Sequence, residues 1–347
     1  MSKIRIDEYH EKISRLIEQN SLEQAAYHCL YLLRQFPKMS SLYQLLGRIF
    51  LETGNYPGAL DVYLRLASSG PDIFLYHVTL SFIFEKLKHQ PQALFFERIG
   101  YYLQPDFSEK QKAFLLQKEK QSDPASASSE MESFFAAGKQ HFNEKSYEAA
   151  LRCFQKAADK NAFIVNDLYL GMTYAKLSIP EKALAVLQKA LGRSPYLVTA
   201  LKWTASYFYQ KNELYFSRVL ERLIAIDPNY ENYSIVDGQI APGRSDIQIN
   251  YQDWTGFPNT KLWSGWLRSG DKFIENKIDR LPAWLSLLPV CADFLSYPES
   301  KVPASSEPGP FQQNEARNKL PLKDEDRFFQ IDYFKSQLLA ETAAKNI

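Results

Sequence analysis

Little in this 347-residue chain carries charge of one sign, and nothing in it stays apolar for long. Lysine and arginine together number 41 against 40 aspartates and glutamates, a formal net charge of +1. A balance so near neutrality offers no field to gather phosphate backbones or anionic lipid, which argues against a nucleic-acid partner and against a basic membrane patch. Cysteine is scarce. Cys29, Cys153 and Cys291 lie far apart and make neither a disulfide framework nor a CxxC knuckle, so a reducing, cytoplasmic setting is expected. The most hydrophobic stretch, 281–297, contains two prolines and Asp293 and falls short of a membrane span. The first dozen residues hold no apolar signal core.

Catalytic signatures are equally thin. Neither the GxxxxGK phosphate cradle nor a GxSxG elbow occurs. The five histidines, His10, His28, His77, His89 and His141, are all remote in sequence from Cys291. His10 and Glu11 lack the second imidazole, one turn on, that a zinc-protease helix needs. Asp324, Glu325 and Asp326 lack the glycine and later glutamate of a calcium loop, and suit a helix N-terminus instead. Cys29 and Cys153 sit beside packing positions and read as small hydrophobes. No cofactor, no metal and no catalytic residue are expected.

What the chain does have is aromatic content (23 Phe, 21 Tyr, 5 Trp) and a repeat. Ala25, Ala59 and Ala93 step by 34 residues, and Pro37, Pro71 and Pro105 follow each by twelve. The pattern resumes at Ala150 and Ala183, with Ala162 and Pro195 as partners, and one further step of 33 leads to Phe216 and Pro228. A fixed period in this range marks a stacked repeat architecture. Six units result, as two triplets separated by an insertion of about 23 residues within 107–130. Each unit reads as two helices: Leu46, Gly47 and Phe50 form one apolar stripe, and Ala59, Tyr63 and Leu66 the other. The turns are Gly54–Tyr56, Glu144–Tyr147 and Leu177–Pro180, and the closing prolines stop the second helices. Small residues, Gly47, Gly138 and Gly171 in the first helices and the alanines in the second, suit close backbone approach.

These units resemble tetratricopeptide repeats, best in LLGRIFLETGNYPGALDVYLRLASSGP from Leu45, FFAAGKQHFNEKSYEAALRCFQKAA from Phe134 and YLGMTYAKLSIPEKALAVLQKALGRSP from Tyr169. Departures fall at the ends, with Ile13 in place of the small residue of the first unit and Thr204 and Phe216 replacing the pair in the sixth, as capping repeats allow. The resemblance implies an all-α, right-handed α-solenoid over roughly 5–230. In it, 5–106 is the first triplet, 107–130 a capping helix and linker, and 131–230 the second triplet. It also implies a peptide-binding groove along the first helices. By that register the fifth and sixth repeats supply Val165, Leu168, Met172, Ala175, Val198, Leu201, Ala205, Phe208 and Tyr209. The first triplet supplies His10, Ser14, Gln44, Arg48, Val78 and Phe82, without the Lys, Arg and Asn clamp of the family's chaperone-tail binders.

Beyond Tyr230 the period stops. Residues 231–300 form a smaller, irregular aromatic-rich region with Trp254, Trp263, Trp266 and Trp284 and a strand-like alternation in DIQINY, expected to pack on the last repeats. Residues 301–321 read as a flexible tether. Residues 322–347 read as an amphipathic helix with Phe328, Ile331, Phe334, Leu338 and Leu339 on one face. An apolar groove is seldom left bare, so docking of the C-terminal part onto it is expected. Two function classes remain. One is a non-catalytic scaffold or adaptor holding a peptide or helix of a protein partner. The other is an enzyme or enzyme-associated subunit whose tryptophans stack a ligand such as a glycan.

Overall fold

The computed structural model describes residues 3–104, 117–118, 121, 129–160 and 163–251. The expected capping helix, the four C-terminal tryptophans, the tether and the final amphipathic helix lie largely or wholly outside these. The first triplet comprises α1 (Ile6–Glu18), α2 (Leu22–Gln35), α3 (Ser40–Glu52), α4 (Tyr56–Ser69), α5 (Phe74–Lys86) and α6 (Gln90–Leu103). The second comprises α7 (Glu130–Asn143), α8 (Tyr147–Lys160), α9 (Ile164–Lys176), α10 (Pro180–Arg193), α11 (Val198–Phe208) and α12 (Glu213–Ile226). Among the described residues the fold is a helical solenoid of six hairpins.

Local chemistry sets the helix ends. Each closing proline stands two residues past a helix, so that α2, α4, α6, α10 and α12 end at Gln35, Ser69, Leu103, Arg193 and Ile226. The residue before each proline is forced out of helical geometry, as at Phe36 (φ −124°, ψ 70°) and Asp227 (φ −142°, ψ 104°). The turn inside each hairpin uses a left-handed residue: Asn20, Gly54, Lys88, Lys145, Ser178 and Gln210 all have positive φ. In the first five hairpins the next amide reaches back five residues, from Ser21 to Leu16 O and from Asn55 to Phe50 O at 2.8 Å, for example. This covers a carbonyl that the helix end would otherwise leave bare. Five of the six left-handed residues carry a Cβ.

The small residues lie where helices meet. Ala25, Ala59, Ala93, Ala150 and Ala183 are fully buried. A Cβ on Gly47 would stand 2.8 Å from the Tyr63 ring, and one on Gly138 would stand 2.7 Å from Phe154. The triplets are joined by a buried ion pair, Arg98 Nε to Glu132 Oε2 at 2.6 Å, with Glu132 also closing a capping box on Ser129 at the start of α7. Phe163 bridges the same junction, edge-to-face against Phe95 of α6 and Phe135 of α7.

The two ends of the chain meet. After a 3-10 turn at Pro228–Asn232, strands β2 (Ser234–Val236) and β3 (Gln239–Ala241) form a hairpin, and β4 (Gln248–Asn250) pairs antiparallel with β1 (Lys3–Arg5), Ile249 opposite Ile4. The DIQINY alternation is thus a strand, and its partner is the N-terminal segment Lys3–Arg5, which alternates in the same way through Ile4 and Ile6. Tyr251 then stacks on His28, and Lys12 Nζ lies 4.1 Å from its ring centroid. Residues 231–251 therefore reach the first repeat as well as the last. Loops also meet across the solenoid: Ser194 Oγ donates to Ser68 O at 2.6 Å, Thr199 Oγ1 to Asp72 Oδ2 at 2.7 Å, and Lys38 Nζ to the Tyr196 hydroxyl.

Candidate functional site

The first helices of the hairpins carry the positions singled out in the sequence, and the structure separates them sharply by exposure. On α9, Val165 and Leu168 are fully buried, while Met172 and Ala175 are half-buried. On α11, Leu201 and Ala205 are fully buried, and Val198, Phe208 and Tyr209 are half-buried. Part of the cover on α11 comes from β3: Ile240 is fully buried, and its amide donates to Ser206 Oγ at 2.9 Å. Tyr233 adds an edge-to-face contact with Tyr209.

The open apolar surface lies on α5 instead. Leu75 is 56% exposed, Phe82 43% and Val78 38%, with Ile73 and Phe74 exposed at the N-terminal end. Counted from Ser81, which stands 34 residues after Gly47, Leu75, Val78 and Phe82 occupy the register of Val165, Leu168 and Met172. They form one stripe because spacings of three and four share a helix face. The other face of α5 holds the core through Tyr76, Leu80, Ile83 and Phe84. Phe82 meets Tyr56 edge-to-face at 6.1 Å, and Lys86 Nζ lies 5.2 Å from the Phe82 centroid. Val78 and Phe82 were placed on the inner face by sequence, but Ile73, Phe74 and Leu75 were not. The available signal was that FLYHVTLSFIF is apolar all round, a pattern for a helix covered on every side.

Three polar positions of the first triplet, Gln44, Arg48 and Ser14, are occupied internally. Gln44 Nε2 donates to the Tyr76 hydroxyl at 2.5 Å, Arg48 Nε to Glu52 Oε1 at 2.8 Å, and Ser14 Oγ to His10 O at 3.1 Å. Lys139, at the corresponding position of α7, is buried, donates to Asn143 Oδ1 at 2.7 Å and faces the Tyr169 ring. Burial pulls its amine down to about 8 against the opposing pull of Asp72. His77 is fully buried with Nε2 2.8 Å from Pro71 O, and burial lowers its pKa to about 4, so the ring is neutral and structural at pH 7. Cys29 is buried and its thiol is pushed well up by burial, which leaves it a poor nucleophile. Among the described residues no group of three or more His, Cys, Asp or Glu side chains could hold a metal ion, and no helix is long and apolar enough to cross a membrane.

The family model described as tetratricopeptide repeat matches residues 11–72. No curated protein matches in sequence. Solved structures similar to this chain include the Cut9–Hcn1 hetero-tetramer of APC/C, at 18% identity and TM-score 0.30 over 65% of this chain and 47% of that one. They also include the C-terminal part of a TPR repeat-containing protein from Cytophaga hutchinsonii, at 16% identity and TM-score 0.27 over 63% and 95%. A third is the TPR2AB domain of yeast Sti1 in complex with pHSP90, at 16% identity and TM-score 0.28 over 63% and 88%. The chain spans about half the length of the first of these. The match over 11–72 falls on the first two hairpins, so this part of the chain carries tetratricopeptide repeats, and the four hairpins that follow repeat the same two-helix unit with departures at Ala162 and Phe216.

Proposed function

We propose that this protein is a non-catalytic adaptor that holds a helical or peptide segment of a protein partner against the first helices of its hairpins, with α5 as the accessible contact. The observation that carries this reading is the exposed stripe of Leu75, Val78 and Phe82, in the same register as the inner positions of the fifth and sixth repeats. Contiguous apolar surface of this kind is uncommon on a protein that binds nothing. Its spacing suits the apolar ridge of an amphipathic helix. The half-buried Met172, Ala175, Val198, Phe208 and Tyr209 form the second part of the surface, with Val165, Leu168, Leu201 and Ala205 buried beneath it. There residues after Tyr230 already lie on α11, so a partner reaches it only by displacing them. The buried free thiol of Cys29 suits the reducing cytoplasm.

Affinity capture with the full-length chain and with Leu75→Glu and Phe82→Glu tests the reading. Both side chains are exposed, so both variants should melt with the parent. Each should weaken binding of the captured partner at least tenfold. Unchanged affinity in both would refute α5 as the contact.

A further inference from the structure

The stripe on α5 is bounded at one end by two exposed lysines, one of them over the Phe82 ring. Lys86 and Lys88 lie just past Phe82 and are exposed, and neither has a carboxylate within ion-pair distance among the described residues. Their neighbours are already engaged: Arg48 by Glu52 at 2.8 Å, and Glu85 by Lys118 at 2.6 Å. Within the stripe the one hydroxyl is turned away, since Thr79 Oγ1 donates to its own helix at Leu75 O, 2.9 Å. The surface thus asks for an apolar ridge a few turns long with acidic groups at one end.

The chain contains such a segment. Asp324, Glu325 and Asp326 precede Phe328, Ile331, Phe334 and Leu338, a helical spacing of three and four. On a helix, Phe328 to Leu338 would extend about 15 Å, against about 12 Å from Phe74 to Phe82. Seventy residues (252–321) separate this segment from Tyr251, enough chain to reach any part of a six-hairpin stack. A tethered segment also binds at an effective concentration that a free partner seldom attains.

We propose that the resident occupant of the α5 stripe is the protein's own segment 322–347, seated as an amphipathic helix with Asp324, Glu325 and Asp326 beside Lys86 and Lys88. This deepens the adaptor reading and rests on it: the same stripe serves tail and partner in turn, and a partner binds by displacing the tail. Hydrogen exchange followed by mass spectrometry on the full-length chain tests it. Residues 328–339 should exchange at least tenfold slower than an unstructured peptide. Phe82→Glu should abolish that protection while α1 and α9 exchange as in the parent. Lys86→Glu should reduce it, and Asp326→Lys added to Lys86→Glu should restore it. Free exchange of 328–339 in the parent overturns the proposal, as does protection that survives Phe82→Glu. Protection that vanishes on dilution also overturns it, because the occupant is then a second copy. If the tail fails these criteria while Phe82→Glu still abolishes partner capture, the adaptor reading stands and only this inference falls.

Discussion

Replacing Gly171 examines the helix register at its tightest point. A Cβ there would sit 2.6 Å from Leu187 Cδ2 and 2.7 Å from Leu187 Cγ, well inside van der Waals contact. Leu187 is fully buried on α10, among close-packed neighbours. Gly171→Ala gains about 1 kcal/mol of helix propensity and loses about 1–3 kcal/mol to overpacking, a net loss of about 0–2 kcal/mol. Gly171→Leu adds three more heavy atoms and should cost about 3 kcal/mol, the upper end of that range. The same hairpin supplies a control. Gly192, near the end of α10, has nothing within 4 Å of its would-be Cβ, so Gly192→Ala should stabilise by about 0.5 kcal/mol. Urea unfolding of the full-length chain, followed by far-ultraviolet circular dichroism, should give a midpoint lower by about 1 M for Gly171→Leu, taking a slope near 3 kcal/mol/M. A Gly171→Leu midpoint equal to the parent's would refute the packing of α9 on α10.

Further expectations concern charge and turns. His77 is neutral and fully buried with its pKa lowered to about 4, so the unfolded chain binds its proton first as pH falls. Its contribution is complete above about 6.5 and is lost on the way down to about 4, about 3 kcal/mol in all. The drop in melting temperature from pH 7 to pH 4.5 should therefore be smaller in His77→Gln than in the parent, and equal drops would contradict this. Glu132→Ala breaks the buried pair with Arg98 and should destabilise by about 3 kcal/mol, read as a lower urea midpoint; a midpoint equal to the parent's would sink it. Lys145 holds φ at 60° at a cost of about 1 kcal/mol, so Lys145→Gly should raise the melting temperature, whereas a lower one would mean that its side chain matters more than its backbone.

The hairpins were legible because their determinants are local. An alanine, a turn and a proline within about 25 residues fix where two helices start, meet and stop, and Ala59, Gly54 and Pro71 do so in one unit. The left-handed residues at Lys88, Lys145 and Gln210 were not legible, since the turn imposes a conformation that these side chains do not advertise. The pairing of β1 with β4 was hidden for a different reason. Both strands alternate polar and apolar residues, at 3–7 and 246–250, but their pairing and register depend on the path of the whole solenoid. Exposure on the first helices was hidden likewise. α5, α9 and α11 are similarly apolar in sequence, and which one stays open is decided by contacts such as Ile240 to Ser206, made from outside the repeats.

In the proposed adaptor, α5 is the surface that meets the partner. Once a partner has been captured, hydrogen exchange of the full-length chain with and without it tests this most directly. Slowed exchange centred on residues 73–86 is the expected footprint, because a docked helix covers the stripe and damps the fluctuations of the backbone beneath it. A footprint confined to other hairpins, with 73–86 exchanging as in the free protein, would contradict the account.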